Sequence, residues 1–217
     1  MIDKIVVGPL QENAYFIIDE DTKKGFLIDP GAEAGRILEM IKENNWEIGL
    51  ILITHGHYDH IGAAKEIREV LGCEIVAHKG AKEYLEDPEI NLSTAFGDGK
   101  VKLKADHYIN EDEPNYDEFT KDLPDTLSFK VSYVPGHTTD SILFYFEHYN
   151  AAFVGDVIFK ESVGRSDLRG GNGATLLESI RTHVFTLPEE TVLYPGHGPS
   201  TTVKYEKSYN PYFNMGY

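Results

Sequence analysis

Residues 54–60 read Thr54-His55-Gly56-His57-Tyr58-Asp59-His60. Three imidazoles and a carboxylate fall within six residues, and each is a good ligand for a borderline divalent metal such as zinc. One ring nitrogen binds one metal. Four donors this close, on alternating positions and then a turn, fit two metals held side by side. The run directly follows Leu50-Ile51-Leu52-Ile53, a continuous apolar stretch typical of a strand buried on both faces. Buried strands of mixed folds deliver functional residues at their carboxyl ends, and the histidine run sits at such an end.

Three further segments share that placement. His137 follows the strand-like stretch Phe129–Val134 in Val134-Pro135-Gly136-His137-Thr138. Asp156 ends the stretch Ala151–Val154 in Val154-Gly155-Asp156. His197 follows Val192–Tyr194 in Tyr194-Pro195-Gly196-His197-Gly198-Pro199. Proline and glycine fix a sharp turn, so each Pro-Gly-His histidine is held by backbone. One histidine alone is ordinarily a surface or hydrogen-bonded residue, and His78, His107, His148 and His183 read that way. Five histidines and two aspartates, all at strand ends, read as a metal site.

Working outward, Ile5–Val7, Ala14–Ile18 and Gly25–Ile28 read as short strands bounded by turn residues. Residues 31–45 carry Ile37, Leu38 and Ile41 at helical spacing. Residues 49–54 form the buried strand. Residues 61–71 read as a helix with Ile67, Val70 and Leu71 inward, stopped by Gly72, and residues 73–77 as the next strand. Asp106–Asp125 holds eight acidic residues and one lysine, Lys121, and reads as a solvated loop or hairpin that could close over the site as a lid. Residues 129–134, 141–146 and 151–154 read as strands, 174–185 as an amphipathic helix ended before Pro188, and 192–194 as a last strand. The order of strands and helix runs through twice. This predicts an α/β fold of two halves, with sheets packed face to face and helices outside.

Composition narrows the function. The 217 residues fit one domain spanning 1–217, and 41% apolar content supports a sizeable core. No apolar run approaches the roughly 20 residues of a membrane-spanning helix, so no membrane partner is expected. A net charge of −16 opposes non-specific nucleic-acid binding, without excluding a small basic pocket. The single cysteine, Cys73, permits no internal disulfide, and the N-terminus lacks the basic-then-apolar pattern of a signal peptide. A cytoplasmic enzyme is the expectation.

On these motifs the chain resembles the metallo-β-lactamase-fold hydrolases. Their T-H-x-H-x-D-H motif stands at residues 54–60, followed by Ile61-Gly62, and their remaining ligand motifs match at His137, Asp156 and His197. Gly164-Arg165-Ser166-Asp167, Pro195-Gly196-His197-Gly198-Pro199-Ser200-Thr201 and Asn210-Pro211-Tyr212 resemble the short glyoxalase II-like (hydroxyacylglutathione hydrolase-like) subgroup. The resemblance runs from about residue 5 to the C-terminus. It implies a four-layer αββα sandwich and two divalent metal ions, zinc first, with iron or manganese also suited to the donor set. His55, His57 and His137 would hold one ion, Asp59, His60 and His197 the other, and Asp156 would bridge them. Asn172 and Asp140 depart from the subgroup's pattern, which often has an acid and a glycine there.

The implied chemistry is hydrolysis. A water shared by two metals has its pKa lowered from about 15.7 toward 7 and attacks without a separate base, with Asp59 as the catalytic residue that helps orient it. The implied substrate is a small-molecule thioester such as an S-2-hydroxyacylglutathione. Arg165 is the expected substrate contact, set against a salt bridge with Asp167; Lys160, Arg169 and Tyr212 rank lower. Full-length glyoxalase II adds a C-terminal helical domain that grips glutathione, absent from these 217 residues. The alternatives are a mononuclear iron persulfide dioxygenase, a lactonase or β-lactamase of the same fold, and a non-catalytic metal-binding module.

Overall fold

The alternation of side chains along the central strands builds a four-layer sandwich. In the computed structural model, which describes all residues except 98, 111–119, 122 and 215–217, two sheets stack face to face. The first has six strands in the order β1 (Ile2–Val7), β2 (Glu12–Ile18), β3 (Lys24–Ile28), β4 (Glu47–Leu52), β5 (Glu74–His78) and β6 (His107–Ile109). β1, β2 and β3 pair antiparallel, and β3 to β6 pair parallel. In the second sheet β7 (Lys130–Tyr133), β8 (Ile142–Phe146) and β9 (Ala151–Gly155) form an antiparallel meander. β10 (Ile158–Phe159) and β11 (Ser162–Val163) form a separate short hairpin. β12 (Val192–Pro195) then joins β9 in parallel, and β13 (Thr201–Thr202) closes the edge.

Successive side chains on a strand point to opposite faces. Tyr15, Ile17, Phe26, Ile28, Leu50 and Leu52 therefore meet Ile142, Phe144, Phe146 and Phe153 in the core between the sheets. Their neighbours Phe16, Ile18, Leu27, Ile51 and Ile53 pack on the opposite face against α1 (Ala34–Asn44) and α3 (Ala64–Leu71), through Ile37, Ile41, Ala64 and Ile67. Behind the second sheet, Leu143, Val154 and Leu193 pack against Leu176, Ile180, Val184 and Val203. Those four come from the helix at Gly173–Ser179, its wider-wound continuation Ile180–Val184, and the helix at Val203–Tyr209. The α/β layering read from the sequence, helices outside two facing sheets, is the observed one.

Several local readings are corrected. The helix expected over 61–71 is broken into α2 (Tyr58–Ile61) and α3, so the histidine run itself enters a helical turn. Val70 is 62% exposed and Leu71 36%. The helix meets the core through Ala64 and Ile67 instead, and it ends at Gly72, whose φ of +69° turns the chain so that Cys73 is buried. The acidic stretch holds a strand: β6 pairs parallel to β5, so it is not a hairpin arm. The lid reading falls mainly on residues 111–119 and 122, outside the described residues. Asn172 caps the helix that follows it, its Oδ1 accepting from the Thr175 amide at 2.9 Å.

Candidate metal centre

The strands β3, β4 and β5 run one way in the first sheet, and β7, β9 and β12 share a direction in the second. Their carboxyl ends meet. Backbone bonds cross between the sheets there, with Asn13 N donating to Gly196 O at 2.7 Å and Ile142 N to Thr54 O at 2.9 Å. Two glycines let the ends approach. Gly155 sits at φ +50°, and a Cβ on it would lie 2.4 Å from Thr54 Oγ1. A Cβ on Gly196 would lie 2.4 Å from both Asp156 Oδ1 and His60 Cε1.

All seven residues marked as candidate ligands converge at this junction. His55 Nε2 lies 3.2 Å from His57 Nδ1, which lies 3.0 Å from His137 Nε2. Asp59, His60 and His197 form a second group whose donor atoms lie within 4.8 Å of one another. His197 Nε2 is 3.3 Å from Asp59 Oδ2. Asp156 stands between the groups: Oδ1 is 3.4 Å from His60 Nε2, and Oδ2 is 3.8 Å from His137 Nε2 and 3.5 Å from His197 Nε2.

The opposite rims of these rings decide which nitrogens carry protons. A carbonyl or carboxylate oxygen only accepts. His137 Nδ1 donates to Arg165 O at 2.8 Å, His197 Nδ1 to Leu10 O at 3.1 Å and His60 Nδ1 to Asp29 Oδ2 at 3.0 Å. Thr54 Oγ1 spends its proton on Asp29 and so accepts from His55 Nδ1. In its neutral form each of these four rings turns an Nε2 lone pair inward. His55 Nε2 and His137 Nε2 both face His57 Nδ1, whose one possible proton serves only one of them, and His60 Nε2 and Asp156 Oδ1 are buried with no hydrogen-bond partner among the described residues. Converging lone pairs and orphaned buried donors fit a cation, and this donor set fits divalent metals. Outer hydrogen bonds of this kind ordinarily orient metal-binding imidazoles.

Charge divides the two groups. Burial, reinforced by the neighbouring imidazoles, holds His55 well below the ordinary histidine range and lowers His57 to about 3. Burial also lowers His137. These three are neutral at neutral pH, as metal ligation requires. At His60 burial is outweighed by Asp156 and Asp59, which raise its pKa well above the usual value. Burial pushes the Asp156 carboxyl up, but His60, His137 and His197 together hold it below the carboxylate range.

The sequence profile of the metallo-beta-lactamase superfamily matches residues 7–197. The chain belongs to the metallo-beta-lactamase superfamily. A probable metallo-hydrolase of Bacillus subtilis, YqgX, is 39% identical over 213 residues, covering 97% of this chain and 96% of that protein. The hydroxyacylglutathione hydrolase GloC of Haemophilus influenzae is 34% identical over 214 residues, covering 98% of each. Among solved structures, the BLEG-1 B3 metallo-beta-lactamase superposes with a TM-score of 0.91 at 35% identity, covering 99% of this chain and 100% of that one. TTHA1623, in a di-iron-bound form, superposes at 0.78 with 31% identity, covering 97% and 99%.

Within this superfamily member the metal group opens into a cleft of about 520 Å³, lined by Leu10, Tyr58, Leu92, Phe96, Arg165 and Leu168 besides the ligand candidates. Arg165 reaches the cleft and is also bound by Asp167, its Nε and Nη2 donating at 2.8 and 3.0 Å. The expected salt bridge with Asp167 is formed, and Arg165 also lines the cleft. Lys160 stacks over the Tyr205 ring at 5.4 Å, and Tyr212 is exposed. Of the other histidines, His78 is buried against Tyr133 with Nδ1 accepting from the Gly80 amide, and His107 pairs with Glu74.

Sequence reading missed Asp29 and Glu12. Asp29 follows β3 in Ile28-Asp29-Pro30-Gly31, the same strand-end and Pro-Gly pattern that marked His137, so a signal existed. Glu12, on β2 and bridged by backbone to His197, is fully buried with both oxygens unpartnered among the described residues. Burial raises its pKa well above the usual value. Nothing in the sequence around Glu12 separates it from a solvated turn residue.

Proposed function

We propose that this protein hydrolyses small-molecule thioesters at a two-metal centre. The observation that carries the reading is the pair of donor groups, His55/His57/His137 and Asp59/His60/His197, facing each other across one carboxylate, Asp156. Two divalent ions bound there would lower the pKa of water from about 15.7 toward 7 and polarise a carbonyl oxygen.

The chain's own residues supply position and exclusion. Asp59 Oδ2, close to His197 Nε2, accepts a hydrogen bond from the attacking water and orients it. Asp29, Leu10 O and Arg165 O lock the imidazoles so that the donor set is preformed. Leu10, Leu92, Phe96 and Leu168 line the cleft with apolar surface and exclude bulk water from one side. The water oxygen bonds to the carbonyl carbon, the C–S bond breaks with its electron pair going to sulfur, and thiolate and carboxylate leave, the two protons of the water passing to solvent. A thiolate needs little acid assistance, which accords with the absence of a dedicated acid in this reading.

The similarity to GloC makes S-D-lactoylglutathione the first substrate to test. Metal-loaded protein should hydrolyse it, lose activity on chelation and regain it on metal return. Failure on every thioester tried, with both metals bound, would overturn the proposal. The likeness to BLEG-1 favours a second reading, opening of a β-lactam or lactone ring, which a chromogenic cephalosporin distinguishes. One iron per chain with oxygen uptake on a persulfide would instead assign a dioxygenase.

A further inference from the structure

The cleft at the metal centre does not end there. It shares Pro9, Tyr58 and Phe96 with a second cleft of about 300 Å³ that runs over Gly31, Gly62 and Gly97. That cleft shares Gly62, Lys100 and Val101 with a third of about 320 Å³. The third shares Lys65, Lys102 and Leu103 with a fourth of about 430 Å³, which adds Arg68, Glu86 and Lys104. The four clefts thus adjoin in succession from the metal centre to a cluster of cations.

The cluster is built by local structure. Between the short helix at Ser93–Phe96 and β6 the chain runs Lys100-Val101-Lys102-Leu103-Lys104. Val101 and Leu103 pack on the outer core, and Leu103 N donates to Leu85 O at 2.8 Å. Burial alternates along this run and leaves the three lysines exposed. Lys65 on α3 joins them. Lys65, Lys100, Lys102 and Lys104 make no ion pair or hydrogen bond among the described residues, whereas Arg68 is bound by Asp106. Four unneutralised cations beside one carboxylate, Glu86, stand out on a chain of net charge −16.

Solvated surface lysines would be the ordinary account of such a run. The succession of adjoining clefts from the metal centre argues for more, because a long occupant of the metal cleft would reach toward them. Lysine is a point-charge partner for phosphate. The strongly negative remainder of the surface repels a long polyanion and leaves a short one attached to the substrate as the occupant. Arg165, which lines the metal cleft, is already closed on Asp167, so the small carboxylates of glutathione meet less free charge than a phosphate group reaching the far cluster.

We infer that the thiol half of the substrate carries phosphate groups, and that these bind Lys65, Lys100, Lys102 and Lys104 while the thioester lies at the metals. The inference rests on the thioesterase reading above. The test compares one acyl group carried by coenzyme A and by neutral N-acetylcysteamine, on metal-loaded protein. The coenzyme A thioester should be preferred by about tenfold or more in kcat/KM, through KM, with the preference shrinking as salt is raised from about 50 to 300 mM. Lys65→Gln with Lys102→Gln should raise its KM severalfold, leaving kcat and the N-acetylcysteamine reaction unchanged. Equal rates on both carriers, or an unchanged KM in the double variant, would overturn it. Should neither thioester be hydrolysed, the thioesterase reading fails by itself. Calorimetric binding of adenosine 3′,5′-bisphosphate then decides the cluster: binding that the double variant loses supports it, and no binding overturns it. Loss of short-RNA binding in the variant with the coenzyme A KM unmoved would also overturn it.

Discussion

Asp29 accepts from His60 Nδ1 at 3.0 Å, and the same carboxylate reaches His55 through the Thr54 hydroxyl. One buried group therefore sets the proton positions of an imidazole in each half of the centre. Its Oδ1 also accepts from the Thr54 amide at 2.7 Å. Asp29→Ala should weaken metal binding in both halves by roughly 10–100-fold. Thr54→Val, which removes only the relay, should weaken the half held by His55. Competition with a chromophoric chelator measures both. Equal affinities in parent and Asp29→Ala would refute the role.

His57 Nδ1 sits between His55 and His137. His57→Ala should lose about one metal equivalent, lower thioester hydrolysis by about 100-fold or more, and retain the parent's circular dichroism. Full activity in this variant would remove the His55/His57/His137 group from the chemistry.

Asp140 gives a pH test on a buried carboxylate that is not itself one of the seven candidate donors. Its Oδ2 accepts from the Gly56 amide at 2.8 Å, and its Oδ1 has no partner among the described residues. Burial raises its pKa from 3.8 to about 6. A raised carboxyl pKa means that ionisation costs the fold: the cost is full above about pH 6 and vanishes below about pH 4. Asp140→Asn removes the titration. Relative to the parent, the metal-free variant should therefore gain roughly 2–3 kcal/mol of stability between about pH 4 and 7, read from urea midpoints. Parallel pH–stability curves would contradict this.

Gly155 ends β9 at φ +50° beneath Thr54. Gly155→Ala should cost about 1–2 kcal/mol for the backbone alone, plus the displacement of Thr54 and His55 that a Cβ forces. Reduced stability should come with reduced metal affinity in one variant. A stable variant with unchanged metal affinity would show that the close approach is dispensable.

The layering was legible because each sheet strand carries its two faces in alternate residues, as Phe16 and Ile17 do on opposite sides of β2. The seven candidate donors were legible because each follows a strand with a turn residue or a dense motif beside it. Asp29 escaped because its partners, Thr54 and His60, lie 25 and 31 residues away, and a lone aspartate in a Pro-Gly turn has a commoner local use. β6 was hidden by composition: His107-Tyr108-Ile109 lies inside an acidic stretch, and only its pairing with Val76–His78 makes it a strand. Val70 follows the helical period but lies exposed, since α3 closes directly after it.

The donor groups on either side of Asp156 are expected to hold two metal ions and to hydrolyse thioesters. Metal content of the purified, metal-replete protein, read beside S-D-lactoylglutathione hydrolysis before and after chelation, tests this most directly. Two divalent ions per chain are expected, with hydrolysis lost on their removal and restored on their return. One ion per chain, or hydrolysis that persists without metal, would contradict it.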